Sequence, residues 1–256
     1  AGSIGQVREC SDRLRKLAKQ KNIAIILVGH VTKSGNVAGP KVLEHLVDGV
    51  FSLEGDKFHT FRILRASKNR FGSNFEVGVF EMGSRGLREV ENPSALFLSE
   101  RSKDAPGSVV TATLEGTRPV LVEFQSLASQ TKFKYPRRSA SGFSGKRLEL
   151  LCAVLEKRAG LNLQGQDIYV NVASGMNIGE PAADLGVVLA LASTIKGKAI
   201  PGDVCAFGEV GLSGEVRNVS QPKRRISEAE RLGFDVIIAP PEVKTVKQAL
   251  SKVGLI

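Results

Sequence analysis

Apolar residues first recur at helical spacing: Ile4, Val7, Leu14, Leu17 and Ala18 share a face behind a capping-box pattern at Ser3-Ile4-Gly5-Gln6, and Lys21-Asn22 closes the run. Residues 23–28 are apolar on both faces, which predicts a central parallel strand between two layers of helix. That puts His30 just past a strand's C-terminal edge, where open α/β sheets hold ligands. Pro40 suits the first turn of a second helix carrying Leu43, Leu46 and Val47. Strands are then predicted at 49–54, 58–66, 76–82 and 86–90. A polar, turn-rich stretch from Asn92-Pro93-Ser94 to Asp104-Ala105-Pro106-Gly107 separates this half from a second full pattern, with the boundary near residue 104.

The second half opens with alternating strands at 109–114 and 120–124 around Gly116-Thr117-Arg118-Pro119. A helix bearing Leu148, Leu151, Cys152 and Leu155 follows and ends before Gly160. A strand at 167–173, a helix at 181–195, a strand at 204–208, a helix at 224–232, a strand at 236–239 and a last helix reaching Val253 complete it. The fold class is therefore α/β, in two domains at 1–104 and 105–256, with no repeat or low-complexity tract.

Composition narrows the class without naming a function. The 256 residues are 42% hydrophobic, enough for two modest cores and too much for a disordered chain. Lys plus Arg outnumber Asp plus Glu by 36 to 26, and the resulting net charge of +10 favours a polyanionic partner. Cys10, Cys152 and Cys205 lie far apart without a CxxC pair, so neither a disulfide framework nor a zinc site is readable and a reducing compartment fits. The longest apolar run, around Leu185 to Ile195, is too short to span a bilayer, and no charged-then-apolar leader is present. The chain begins without Met, and Ala1-Gly2-Ser3 reads as a fragment boundary.

Candidate chemistry centres on Lys68-Asn69-Arg70-Phe71-Gly72, directly after the strand-like run at 61–66. A lysine gives a mobile point charge and an arginine a planar fork, both suited to phosphoryl oxygens as charge builds during transfer, and the glycine lets the chain turn away. On spacing alone a solvated hairpin tip is the alternative. The segment 63–73, with Gly78-Val79-Phe80-Glu81-Met82 after it, resembles the signature of the RadA (Sms) family of bacterial recombination ATPases. Val28-Gly29-His30-Val31-Thr32-Lys33-Ser34-Gly35 and residues 39–48 resemble the same family upstream, and the likeness runs to the C-terminus. It implies the C-terminal half of a RecA-like ATPase core, with a mainly parallel sheet, followed by an α+β domain similar to the proteolytic domain of Lon.

Glu180-Pro181-Ala182-Ala183-Asp184 and residues 208–216 carry the Lon resemblance. Lon uses a serine and a lysine; the positions matching that dyad are Ala182 and Arg225. Alanine is no nucleophile and arginine keeps its proton, so the domain is expected not to cut peptides. A substitute pairing of Lys223 with Ser213 or Ser220 is the remaining route to a serine–lysine peptidase, the alternative function. The retained domain is expected to act through its surface, as a ring-assembling scaffold and a place for DNA. Lys132, Lys134, Arg137, Arg138, Lys146 and Arg147 are the DNA candidates, in a stretch between Phe124 and Leu148 that holds no acid, with Phe133, Tyr135 and Phe143 interleaved for stacking.

The RadA resemblance implies a DNA-dependent ATPase of the helicase type that promotes branch migration in recombination repair. It further implies ATP and Mg²⁺ as cofactors, a homo-oligomer in the form of a hexameric ring, single-stranded and branched DNA and a RecA-type recombinase as partners, and a bacterial cytoplasmic location, or an organellar one in a plant. Lys68 and Arg70 would act in trans on a neighbour's ATP, His30 would sense nucleotide together with Thr32, and Lys33 would lead into a DNA-binding loop. The GxxxxGK[ST] P-loop and the cysteine zinc finger of the family do not occur in these residues, so this piece alone is expected to be inactive. A non-catalytic DNA-binding or assembly module is the third functional class.

Overall fold

The computed structural model describes residues 4–29, 43–55, 61–72, 76–102, 105–173 and 175–256. They fall into two compact units, one of residues up to 88 and one from 89 onward.

In the first unit, α1 (Ile4–Lys21) is amphipathic, and ion pairs lace its solvent side, Arg13 to Glu9 at 2.6 Å and both Arg15 and Lys16 to Asp12. Hydrogen bonds from Lys16 and Arg15 hold the Asp12 carboxyl down to about 2. Residues 23–29 depart from expectation. They form no strand, and Ile26 and Val28 stand 88% and 86% exposed. A parallel strand exists only through neighbours hydrogen-bonded along its edges, and no described strand pairs with this one. Of the predicted second helix, only residues 43–44 are helical within the described part, and Val47 closes the turn by donating to the Leu43 carbonyl at 3.2 Å.

The four strands expected next are present as β1 (Gly49–Gly55), β2 (Phe61–Asn69), β3 (Val77–Gly83) and β4 (Gly86–Glu89), one sheet in that order. β1–β2 and β2–β3 pair antiparallel. The β1–β2 register runs Gly49 to Asn69 and Val50 to Lys68, then jumps to Phe51 against Ala66, leaving Ser67 as the bulged residue. A bulge re-aims the side chains beyond it, here Lys68 and its successors.

The second unit begins earlier than the compositional line near 104. The short helix α2 (Pro93–Phe97) belongs to it: Asn92 caps the helix by accepting from the Ala95 N–H at 3.1 Å. Buried Ser94 accepts from the Leu121 N–H at 3.0 Å and donates to Glu228 at 2.7 Å, which ties the turn-rich segment to the sheet. That sheet has six strands in the order β12-β9-β5-β6-β8-β7. Its strands are β5 (Ser108–Glu115), β6 (Arg118–Gln130), β7 (Arg138–Ser141), β8 (Gln166–Val172), β9 (Val204–Ala206) and β12 (Val236–Ile238). Pairs β12–β9, β9–β5 and β8–β7 are parallel, and β5–β6 and β6–β8 antiparallel, so the chain is mixed α/β. A small hairpin, β10 (Glu209–Val210) with β11 (Val216–Arg217), stands apart from it.

Helix α4 (Asp184–Lys196) is buried from Asp184 to Ser193 and lies against β5 and β6. It can approach so closely because residue 186 is glycine: a Cβ there would fall 1.8 Å from the Thr111 hydroxyl. Helix α3 (Gly145–Val154) packs on α4 and β7, and runs into a π-helical turn at Leu155–Ala159 that Gly160 ends at φ 72°. On the opposite face, α5 (Pro222–Arg231) seals an apolar cluster of Val110, Leu121, Cys205, Phe207, Ala229 and Phe234. Helix α6 (Val246–Lys252) closes the unit against α4.

Burial pushes the Cys152 thiol up to about 11 and the Cys205 thiol up to about 12, whereas Cys10 is exposed. A disulfide reagent at mildly alkaline pH should therefore titrate one thiol per folded chain and all three after denaturation. Fast reaction of a second native thiol would contradict this core packing.

Candidate functional site

Three groupings carry the candidate chemistry, and the first is the basic tip at the end of β2. Lys68 Nζ donates to the Glu44 carbonyl. The Arg70 N–H donates to the Asp48 carbonyl at 2.9 Å, and Arg70 Nη1 reaches Asp48 Oδ1 at 3.0 Å. Both cations thus rest on the turn at 43–48. The Arg70–Asp48 pair is half-exposed, at 50% and 42% of the side chains, and exposed pairs of this kind hold by about 0–1 kcal/mol. Asn69 Oδ1 accepts from the Phe71 N–H at 3.2 Å and folds the tip back. Phe71 points out, 87% exposed. Asp48, the partner of Arg70, was not among the sequence candidates; its signal is position, one residue before the strand that pairs with the motif. His30, Thr32 and Lys33 lie outside the described residues, as does His59; His45 is exposed.

The second grouping occupies the Lon-like dyad positions. Pro181–Ala183 is a single 3₁₀ turn, and Ala182 is 1% exposed, its carbonyl taking the Gly208 N–H at 2.8 Å. Each end of the turn is pinned by a carboxylate and a guanidinium. Before it, Glu180 receives Arg225, whose Nη1 donates to Oε2 at 3.0 Å and whose Nη2 donates to Oε1. Arg225 is fully buried, and its other donors go to the Ser220 carbonyl at 2.9 Å and the Ala112 carbonyl at 2.7 Å. After the turn, buried Asp184 at the start of α4 takes Nε of Arg147 at 2.9 Å, its Nη2, and the Val210 N–H at 3.1 Å. Burial pushes the Asp184 carboxyl up from its ordinary value while the Arg147 bonds oppose it; the same bond raises the Arg147 guanidinium.

A permanent buried cation, all of its bonds spent on carbonyls and a carboxylate, can neither deprotonate a nucleophile nor make room for one. Lys223, Ser213 and Ser220 are exposed and remain on the surface. Glu180 and Asp184, the acids that define the turn, were read as landmarks only. Their roles appear once the fold delivers Arg225 and Arg147 to them.

The third grouping, the basic stretch 132–147, divides in two. Lys132, Lys134, Arg137 and Lys146 are exposed; Arg137 lies over the Phe133 ring at 4.1 Å and Lys134 over the Tyr135 ring at 5.7 Å. Arg138 instead donates to the carbonyls of Arg137, Leu163 and Gln166, stitching β7 to the turn before β8. Arg147 is consumed by Asp184 and the Val210 carbonyl. Phe143 is not a stacking platform: it is buried edge-on against Phe124, with ring centres 5.7 Å apart. Among the described residues no cluster of three His, Cys, Asp or Glu could hold a metal ion.

The Lon protease (S16) C-terminal proteolytic domain matches residues 155–253. Over 239 residues, 93% of its length, the chain is 55% identical to the DNA repair protein RadA of Bacillus subtilis (strain 168), of which it covers 52%. It is 52% identical over 240 residues to the protein of the same name from Listeria monocytogenes, 94% of this chain and 52% of that one. With that of Streptococcus pneumoniae it shares 53% over 239 residues, 93% of this chain and 57% of that one. The chain thus spans about half the length of the curated relatives it matches.

Removing one member of a buried pair strands the other charge, which costs about 3–5 kcal/mol. Arg225→Ala is expected to lose that much in urea unfolding, and Arg225→Lys less, because a point charge replaces a four-bond fork. A wild-type urea midpoint for Arg225→Ala would contradict the assignment.

Proposed function

Because the chain belongs to the RadA family over the part of that protein it spans, we propose that it serves DNA repair as part of a DNA-dependent ATPase of the helicase type, one that promotes branch migration on single-stranded and branched DNA. The observation that carries this reading is the pairing of Lys68 and Arg70 on one tip, each held by a weak, exchangeable contact with the turn at 43–48. Two cations so placed suit the terminal phosphates of ATP bound to a neighbouring protomer. A phosphate displaces Asp48 from Arg70 at a cost of at most about 1 kcal/mol. Bound Mg²⁺ would neutralise charge on the nucleotide; the described carboxylates of this chain offer it no ready-made cluster. The protein assembles as a ring, hexameric in the family expectation, so that each tip meets the next protomer's nucleotide. Its wider partner is a recombinase of the RecA type, and its place is the cytoplasm; no described helix is long and apolar enough to cross a membrane.

DNA is met by Lys132, Lys134, Arg137 and Lys146, the cations of the basic stretch that the fold leaves free to face solvent, with Lys33 contributing from the other unit. A Lon-like peptidase is the reading that the matched domain invites. It is opposed by Ala182, which has no side-chain oxygen, and by the engaged guanidinium of Arg225.

In the full-length protein, Lys68→Ala or Arg70→Ala should lower DNA-stimulated ATP hydrolysis by about 10³-fold or more, the scale of an arginine finger. Normal turnover in either variant would refute the role, and casein digestion by the wild type would revive the peptidase. If four exposed cations each neutralise a phosphate, single-strand affinity should fall with salt at a log–log slope of about −3. A slope near zero would exclude the electrostatic footprint.

A further inference from the structure

Beyond Glu123, where α2 and α5 no longer reach β6, one face of β6, β8 and β7 has no covering helix among the described residues. Their pairing sets Leu127 beside Tyr169 and Gln125 beside Asn171, with Ser139 and Ser141 completing the two rows from β7. Alternation sends these side chains one way, while Ile168, Val170 and Val172 of the same strand are buried on the other. Leu127 is 62% exposed and Tyr169 37%. A cleft of about 470 Å³ lies over this face.

Apart from the Glu123 carboxylate at its floor, the side chains exposed in the cleft are neutral. Glu123 at its floor is already bonded by the Ser108 hydroxyl at 2.5 Å and by Gln125 Nε2 at 3.2 Å. Asp167, one row along from Tyr169, takes the Arg137 N–H at 2.7 Å. The side chains of Ser139, Ser141, Tyr169 and Asn171 make no hydrogen bond to another described residue, so an aromatic ring, an amide and hydroxyls stand together without partners. The one carboxylate, Glu123, is already engaged by Ser108 and Gln125, an anion finds no cation among the lining residues, and an aliphatic ligand would strand the polar groups. A flat polar heterocycle suits them: the ring stacks, and amide and hydroxyl groups bond its edge.

The border of the face supplies the other half of a nucleotide's needs. By strand parity Arg137 shares the face of Ser139 and Ser141, and its guanidinium lies over the Phe133 ring at 4.1 Å. Lys132 and Lys134 are exposed in the segment that leads to it. We infer that this bare sheet face binds unpaired bases of single-stranded DNA, with a base seated on Tyr169 beside Asn171 and the backbone phosphates passing along Lys132, Lys134 and Arg137. This rests on the reading that the chain binds DNA, and adds that it discriminates single strands from duplex.

The test measures anisotropy of a labelled oligothymidylate and of a duplex of equal length on the full-length protein, with wild-type urea midpoints required of each variant. Tyr169→Ala and Asn171→Ala should each weaken the single strand by about 5-fold or more, as loss of one stacked or bonded base does, and leave the duplex and the salt slope unchanged. Tyr169→Phe should bind as wild type. Lys132→Ala with Lys134→Ala should weaken both ligands and flatten the slope. Unchanged single-strand affinity in Tyr169→Ala, or an equal loss on duplex, overturns the inference while the DNA reading stands. A shift of oligomeric mass in Tyr169→Ala with DNA affinity intact also overturns it, giving the face to a protein contact. Lysine variants that alter neither ligand would instead sink the DNA reading itself.

Discussion

The C-terminal unit is organised by two guanidinium–carboxylate pairs, each with one fully buried member, that pin the ends of one turn, Glu180 to Arg225 before Pro181–Ala183 and Asp184 to Arg147 after it. Between them they tie β5, α3, α4, β10 and α5 to a single point. Charges this deep need not stabilise more than apolar side chains of the same size, yet each demands that the other stay. They fix geometry, and here they fill the two positions that match the Lon dyad with a methyl group and an engaged guanidinium. A lysine at 225 has three donors for the four acceptors that Arg225 serves, so at least one would be left short; a serine at 182 would add a hydroxyl to a nearly closed site. Each such unmet buried group costs about 1–3 kcal/mol.

The same constraint sorts the positive charge. Six cations in the stretch 132–147 look alike in sequence. Arg147 is taken by a buried acid and Arg138 by three carbonyls, so the structure spends its most capable donors on itself. Lysines, which do not fork, and Arg137, held on a phenyl ring, are left for solvent and its solutes. Counting charges along a chain overstates the surface field wherever arginines can find backbone to serve.

Elements with a strong period were legible: α1, the four strands of the first sheet, α4 and β8 each follow from apolar spacing. Residues 23–28 were misread because a doubly apolar run states that a strand can be buried, and says nothing about the neighbours it requires. β7 was missed for the opposite reason, since Arg-Ser-Ala-Ser carries no apolar alternation and earns its place only by pairing with β8. α2 hid in a turn-rich segment because five residues are too few to show a period. Of the candidate site, the motif itself was visible from residue types. Asp48, Glu180 and the cleft around Tyr169 were not, because each depends on residues that only the fold makes adjacent.

The contact between Arg70 and Asp48 has a kinetic meaning. With a hold of at most about 1 kcal/mol, the guanidinium is unlatched on the order of one-sixth of the time or more before any ligand arrives. On the proposed reading, a nucleotide would therefore meet an already competent conformer, and the selection tax on its affinity would be a few-fold at most. No separate unlocking event needs to limit the rate, and the tip can trade partners as fast as an exposed side chain turns over.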